Sequence, residues 1–204
     1  MAILISGRGS NMHAILSSHA KSELRNIQPC VVISNNKDAL GLKIAKEQFG
    51  IATEVILSNG KKGWEYDKEI ATVLKNYCVC PSNGIICLAG YMRILSPQFV
   101  RKYKLRILNI HPSLLPSFKG LRAQKQALDY GVKISGCTVH FIDDNVDTGP
   151  IIIQESVPIY DSDTEEDLSN RILQLEHKLY PIAIKLFSDG KLRLDGRKVH
   201  LLEK

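Results

Sequence analysis

Ala2-Ile3-Leu4-Ile5-Ser6-Gly7-Arg8-Gly9-Ser10-Asn11 opens the chain, and its reading decides the fold. Ala2–Ser6 is a short apolar strand, Gly7 and Gly9 make a tight turn, and Asn11–His19 is predicted helical with Met12, Ile15 and Leu16 on one side. The same alternation continues. Cys30–Ser34 reads as a strand, Leu40–Phe49 as a helix ended by Gly50, and Thr53–Leu57 as a strand. Trp64–Tyr77 follows as an amphipathic helix with Ile70, Val73, Leu74 and Tyr77 at helical spacing. Gly84–Ala89 is a buried strand, a short helix follows Pro97, and Leu105–Ile110 is another buried strand. This order predicts a single Rossmann-like α/β domain: a doubly wound, mostly parallel sheet with helices on both faces.

The second half changes character. Leu121–Tyr130 is predicted helical, ended by Gly131. Ile134–Ile142 alternates, with Cys137, Val139 and Phe141 on one face, and Ile151–Pro158 is a further extended run expected to pair with it antiparallel. Ser162-x-x-Glu165 and Thr164-x-x-Asp167 both offer helix-start chemistry. The helix that follows carries Leu168, Ile172, Leu175 and Leu179 as an apolar stripe, and Pro181 is expected to kink or split it. Asp195-Gly196 within Leu192–Leu201 signals a hairpin. The domain is expected to comprise residues 1–204, with a phosphate-binding lobe over about 1–100 and a catalytic lobe over about 101–204.

Composition narrows the function. Twenty-seven basic against 21 acidic residues leave a net charge of +6. The basic residues are scattered, with no five-residue Lys/Arg block and no interleaved aromatics, which argues against a nucleic-acid partner and suits a small anionic substrate. Five cysteines, Cys30, Cys78, Cys80, Cys87 and Cys137, are an odd number, and three lie in apolar segments. They are expected to be buried free thiols in a reducing compartment, hence cytoplasmic. Cys78-Val79-Cys80-Pro81 lacks a second Cys/His pair, so no metal is expected. Met1 runs straight into a strand and no apolar stretch reaches about 18 residues, so neither a signal peptide nor a membrane span is expected.

Chemistry concentrates in Asn109-Ile110-His111-Pro112-Ser113-Leu114-Leu115-Pro116 and in Asp147-Thr148-Gly149-Pro150. Side chains two apart on a strand share a face, so Asn109 and His111 can act together where the chain leaves the sheet. An amide can donate to a developing oxyanion, an imidazole can pass protons, and a nearby carboxylate can hold that imidazole charged or position a water. A lone strand-end histidine is more often merely packed, and Asp-x-Gly-Pro is also an ordinary turn. Their combination favours catalysis. Gly9, Ser10 and Asn11 at a helix start suit a phosphate, although the stretch is neither a P-loop nor a dinucleotide fingerprint.

With these segments in view, the chain resembles the glycinamide ribonucleotide transformylase family of formyl-folate enzymes. The resemblance rests on Ile5–Asn11, Leu88–Pro97, Leu108–Pro116, Asp147–Pro150 and Leu175–Pro181, and spans nearly the whole chain. It implies formyl transfer from 10-formyltetrahydrofolate, a co-substrate, to the amine of glycinamide ribonucleotide in purine biosynthesis. It implies that Asn109 binds the oxyanion, that His111 supplies a proton or positive charge, and that Asp147 supports His111 and orders a water. Ribonucleotide contacts are implied for Gly9, Ser10, Asn11, Leu173, Gln174, Leu175 and Glu176. Folate contacts are implied for Lys62, Met92, Arg93, Ile94, Leu95, Asn109, Asp143, Asp144 and Asp147. From the residues alone, Met92, Ile94 and Leu95 read as core and Glu176 as a solvated helix position.

The chain departs from the family pattern in three places. The family's basic residue near the folate tail falls at Lys62-Gly63; Arg122 and Gln124 stand where two histidines are frequent; and Cys78–Asn83 replaces a short helix–strand turn that usually contains Asp. Partners are expected to be small molecules, and the chain a monomer or homodimer. Two rivals remain, a 10-formyltetrahydrofolate hydrolase and a non-catalytic nucleotide-binding module.

Overall fold

The computed structural model describes residues 1–202. Seven strands form one sheet in the order β3-β2-β1-β4-β5-β6-β7: β1 Ala2–Ile5, β2 Val31–Ser34, β3 Ala52–Val55, β4 Ile86–Leu88, β5 Ile107–His111, β6 Ile134–Phe141 and β7 Ile151–Pro158. The first five are mutually parallel, and β6 runs antiparallel to both of its neighbours, β5 and β7. The order reverses between β1 and β4, the kind of position where open α/β sheets bind ligands beyond their strand ends.

Six helices cover the sheet: α1 Ser10–Ala20, α2 Leu40–Phe49, α3 Gly63–Asn76, α4 Pro97–Lys102, α5 Ala123–Tyr130 and α6 Glu165–Ser188. They divide the core in two. Odd-numbered β1 residues Ile3 and Ile5 pack with α1 and α6 through Met12, Ile15, Ile172 and Tyr180. Even-numbered Ala2 and Leu4 pack with α3 and α4 through Tyr66, Ile70, Leu74 and Phe99. Burial on both faces explains why these strands read as continuous apolar runs.

Several expected boundaries shift. The β5 strand starts at Ile107, because Leu105 takes a left-handed φ of 57° and the Arg106 N–H turns back to the Tyr103 carbonyl; it runs one residue further and includes His111. The β3 strand is Ala52–Val55 rather than Thr53–Leu57. The α5 helix begins at Ala123, after a left-handed Arg122. In β6 both faces are buried, not one. Of the two candidate helix starts, Thr164 is used, in a reciprocal capping box with Asp167.

The expected split at Pro181 is absent, since α6 runs unbroken over 24 residues with Pro181 inside. Buried Leu179, Tyr180, Ala183 and Ile184 on either side hold the proline in register, outweighing the one missing hydrogen bond. In the β8 (Leu192–Asp195) and β9 (Lys198–Leu201) hairpin, Asp195 pairs with Lys198, so the loop is Gly196-Arg197 rather than Asp195-Gly196. Cys87 and Cys137 are buried free thiols, whereas Cys30 and Cys80 are half-buried and Cys78 is exposed, because the last two lie in the turn after α3 rather than in a strand. No helix among the described residues is long and apolar enough to cross a membrane.

Candidate active site

Register brings the site together. In the antiparallel pair, Asn109 on β5 stands opposite His140 on β6, and His111 opposite Thr138. Asn109 Nδ2 lies 3.2 Å from His140 Nε2, and His140 Nδ1 lies 2.9 Å from the Phe141 carbonyl oxygen. A neutral His140 satisfies both contacts, donating from Nδ1 and accepting the Asn109 amide at Nε2. Burial pushes this imidazole below its ordinary pKa, which favours that state. One amide N–H of Asn109 is thereby fixed, and the other has no protein partner among the described residues.

Asp147 arrives from the loop between β6 and β7. Its Oδ2 lies 3.3 Å from His111 Nδ1 and accepts the Gly120 N–H at 2.8 Å. Its Oδ1 lies 3.8 Å from His140 Nε2. Asp147 sits at a left-handed φ of 51°, sparsely populated backbone of the kind concentrated at functional sites. Gly149 lets the loop return closely, as a Cβ there would fall 1.8 Å from the Phe141 oxygen. His111 Nε2 meets the Phe118 carbonyl oxygen at 2.9 Å, so both of its nitrogens face oxygens. Thr138 Oγ1 accepts the Leu115 N–H and donates to the Ser113 carbonyl, pinning the proline-rich loop after His111 onto β6.

At the other end of the seam, α1 starts at Gly9 without a side-chain cap, leaving N–H groups open to an anion. Gly9 has φ 76°, and a Cβ there would lie 2.8 Å from the Gly41 Cα. Ser10 is half-exposed. Asn11, also assigned to the phosphate, donates its side-chain Nδ2 to Glu176 Oε2 at 2.7 Å, while its backbone N–H stays in the first turn of α1. Glu176 is buried rather than solvated, because α6 presents it to α1 beside core residue Leu175. Leu173 is half-buried and Gln174 exposed.

Burial raises the Glu176 carboxyl to about 7, the Asn11 contact only partly opposing it. A raised carboxyl binds a proton in the folded chain that the unfolded chain releases, so stability present at low pH is lost as pH climbs through about 7. The full shift is worth about 3 kcal/mol. Glu176→Gln is therefore expected to melt several degrees above the parent at pH 8 and close to it at pH 4.5. Equal differences at both pH values, measured by thermal denaturation, would contradict this.

The folate-assigned residues divide. Met92 and Ile94 are 67% and 78% exposed, while Leu95 is core, so core packing explains only the last. The Met92 N–H donates to Ser6 Oγ at 2.8 Å. The Arg93 guanidinium stacks 4.0 Å over the Tyr66 ring and donates to the Lys61 carbonyl. Lys62 is exposed at the start of α3, and its side chain caps nothing there. Asp143 Oδ1 accepts from Thr148 Oγ1 at 2.6 Å, and Asp144 pairs with Arg101 at 2.9 Å.

His140 was missed in the sequence because a histidine inside an apolar strand reads as packed. The signal available was its place in β6 opposite a polar β5 residue. A cleft of about 990 Å³ between α1 and α6, lined by Lys21, Arg25, His177 and Lys178, excludes Asn109, His111 and Asp147. Among the described residues, no group of three or more His, Cys, Asp or Glu could hold a metal.

An amide, a buried imidazole and a carboxylate meet at the end of β5, one strand over from the reversal between β1 and β4. The sequence pattern of the formyl transferase family matches residues 1–184, and the chain belongs to that family. It is 41% identical to the phosphoribosylglycinamide formyltransferase of Escherichia coli, over 98% of this chain and 95% of that one. It is 48% identical to the trifunctional purine biosynthetic protein adenosine-3 of Bos taurus over 95% of this chain, which spans 19% of that protein's length. The crystal structure of glycinamide ribonucleotide transformylase 1 from Symbiobacterium toebii superposes with a TM-score of 0.91 at 44% identity, covering 99% of this chain and 93% of that one.

Proposed function

We propose that this chain transfers the formyl group of 10-formyltetrahydrofolate to the amine of glycinamide ribonucleotide, releasing formylglycinamide ribonucleotide and tetrahydrofolate. The observation behind this reading is the convergence of Asn109, His111 and Asp147 around one point beyond β5, in a chain of the formyl transferase family.

The amine nitrogen attacks the formyl carbon, and the carbonyl oxygen becomes an oxyanion. The free N–H of Asn109 donates to that oxygen, and His111 contributes positive charge or a proton. For His111 to do so, one ring nitrogen must exchange its present oxygen partner, Phe118 or Asp147, for the oxyanion. Asp147 balances the imidazolium and, through an ordered water, moves the attacking amine's proton toward the departing folate nitrogen. The carbon–nitrogen bond to folate then breaks and the carbonyl re-forms.

The ribonucleotide phosphate sits on Gly9, Ser10 and Asn11 at the open start of α1, with the Leu173–Glu176 segment also touching that substrate. The pterin lies along the exposed Met92–Ile94 ledge and the Asp143–Asp147 loop. Scattered basic residues suit small anionic substrates rather than a nucleic-acid partner, and the free cysteines suit a reducing compartment, which supports a reaction in the cytoplasm.

Tetrahydrofolate release is measured from 10-formyltetrahydrofolate with and without glycinamide ribonucleotide. Release that requires the ribonucleotide supports the transferase. Release without it makes the chain a hydrolase, and no release from folded protein makes it a binding module. Ser10→Ala is expected to raise the KM for the ribonucleotide about three- to tenfold with kcat nearly unchanged. An unchanged KM would remove Ser10 from the phosphate site.

A further inference from the structure

The β8–β9 hairpin lies beyond residues 1–184, the segment matched by the family pattern, and supplies none of the residues used above. Its place is nonetheless specific. The β9 strand lies along β7, and from the two-residue loop at the hairpin tip Arg197 donates its Nη2 to the Thr148 carbonyl oxygen at 2.5 Å. Thr148 directly follows Asp147. We propose that Arg197 is a positioning residue that holds the Asp147 loop from outside the family core.

The loop has few other restraints. Asp147 is in left-handed backbone, and its carboxylate is tied to the Gly120 N–H, His111 and His140; beyond these the loop has the Thr148 hydroxyl and the Asn145 N–H donating to Asp143 Oδ1 and the exposed Arg101–Asp144 pair. A guanidinium bound to a main-chain carbonyl fixes backbone rather than a mobile side chain. The carbonyl it fixes belongs to the residue next to the one whose carboxylate must reach His111. Displacements of about 1 Å at such a point are enough to cost rate. Arg197 touches neither substrate nor reacting atoms, and its effect passes through Thr148 to Asp147 and to the folate-facing loop.

This inference rests on the formyl-transfer reading for its kinetic consequence, but not for its structural one. Hydrogen–deuterium exchange of residues 143–149 is measured in the parent, Arg197→Ala, Arg197→Lys, and Arg193→Ala in the same hairpin. Exchange is expected to quicken about three- to tenfold in Arg197→Ala, the size set by one neutral-acceptor hydrogen bond. It is expected to return part-way in Arg197→Lys and to stay at the parent level in Arg193→Ala. In the formyl-transfer assay, Arg197→Ala is expected to raise the KM for 10-formyltetrahydrofolate and lower kcat by similar factors. The KM for glycinamide ribonucleotide should stay put, because Ser10 and Glu176 stand on other elements. Unchanged loop exchange, or equal rises in both KM values, would overturn the proposal. Faster loop exchange in a chain that transfers no formyl group would leave the strut in place and overturn the assigned reaction instead.

Discussion

His111→Ala is expected to lower kcat by a factor on the order of 10³, the range of a positioned proton donor. His111 is buried and lies between the Asp147 carboxylate and the Phe118 carbonyl. The cost to folding is bounded. Two oxygens lose a partner, about 1–3 kcal/mol, and the variant should still unfold cooperatively in a circular-dichroism melt.

Asp147→Asn is expected to fall by a comparable factor of about 10²–10³, since the amide keeps the size but loses the charge facing His111. If the two residues form one unit, the double variant should be within about threefold of His111→Ala alone. Multiplied losses, read from steady-state kcat values of the three variants, would mean independent roles and would break the proposed proton path.

The second large effect is expected at Asn109. Asn109→Ala should cost about 10²–10³ in kcat, the loss found when one oxyanion donor is removed. KM should change little, because the interaction strengthens only as the oxygen becomes negative. The His140 contact adds a control. His140 holds one N–H of the amide and so aims the other, and His140→Gln should lose less than Asn109→Ala while moving kcat in the same direction. Normal turnover in Asn109→Ala would show that another donor meets the oxyanion.

Much of this architecture could be read from local patterns. The β1 turn, the alternation through β5, and the length of β7 follow from apolar periodicity and glycine placement, which are determined within about ten residues of chain. What failed to read was tertiary in origin. Leu105 bends into left-handed backbone and delays β5, and no propensity signals that in a leucine. Pro181 stays inside α6 because its neighbours are buried against the sheet, a gain invisible to a rule about missing N–H groups. Glu176 looked solvated because the partner that buries it, Asn11, lies 165 positions away in sequence.

The site divides in the same way. Asn109 and His111 share a face by strand geometry alone. The approach of Asp147 depends on where the β6–β7 loop folds back, and no spacing in the chain encodes it. The family resemblance supplied that link, and also the exposed ledge of Met92 and Ile94, where hydrophobicity alone pointed inward.

The abutment of Gly9 and Gly41 has one further implication. A methyl group at position 41 would fall 2.5 Å from Ile5 Cδ1 and 3.1 Å from the Gly9 Cα. The opening turns of two helices and the first strand are thus wedged together, with no slack for independent adjustment. The cradle assigned to the phosphate is in effect a prefabricated part, set when the sheet assembles and not moulded by its guest. Ligands that differ in the shape of their anionic end should be sorted there by fit.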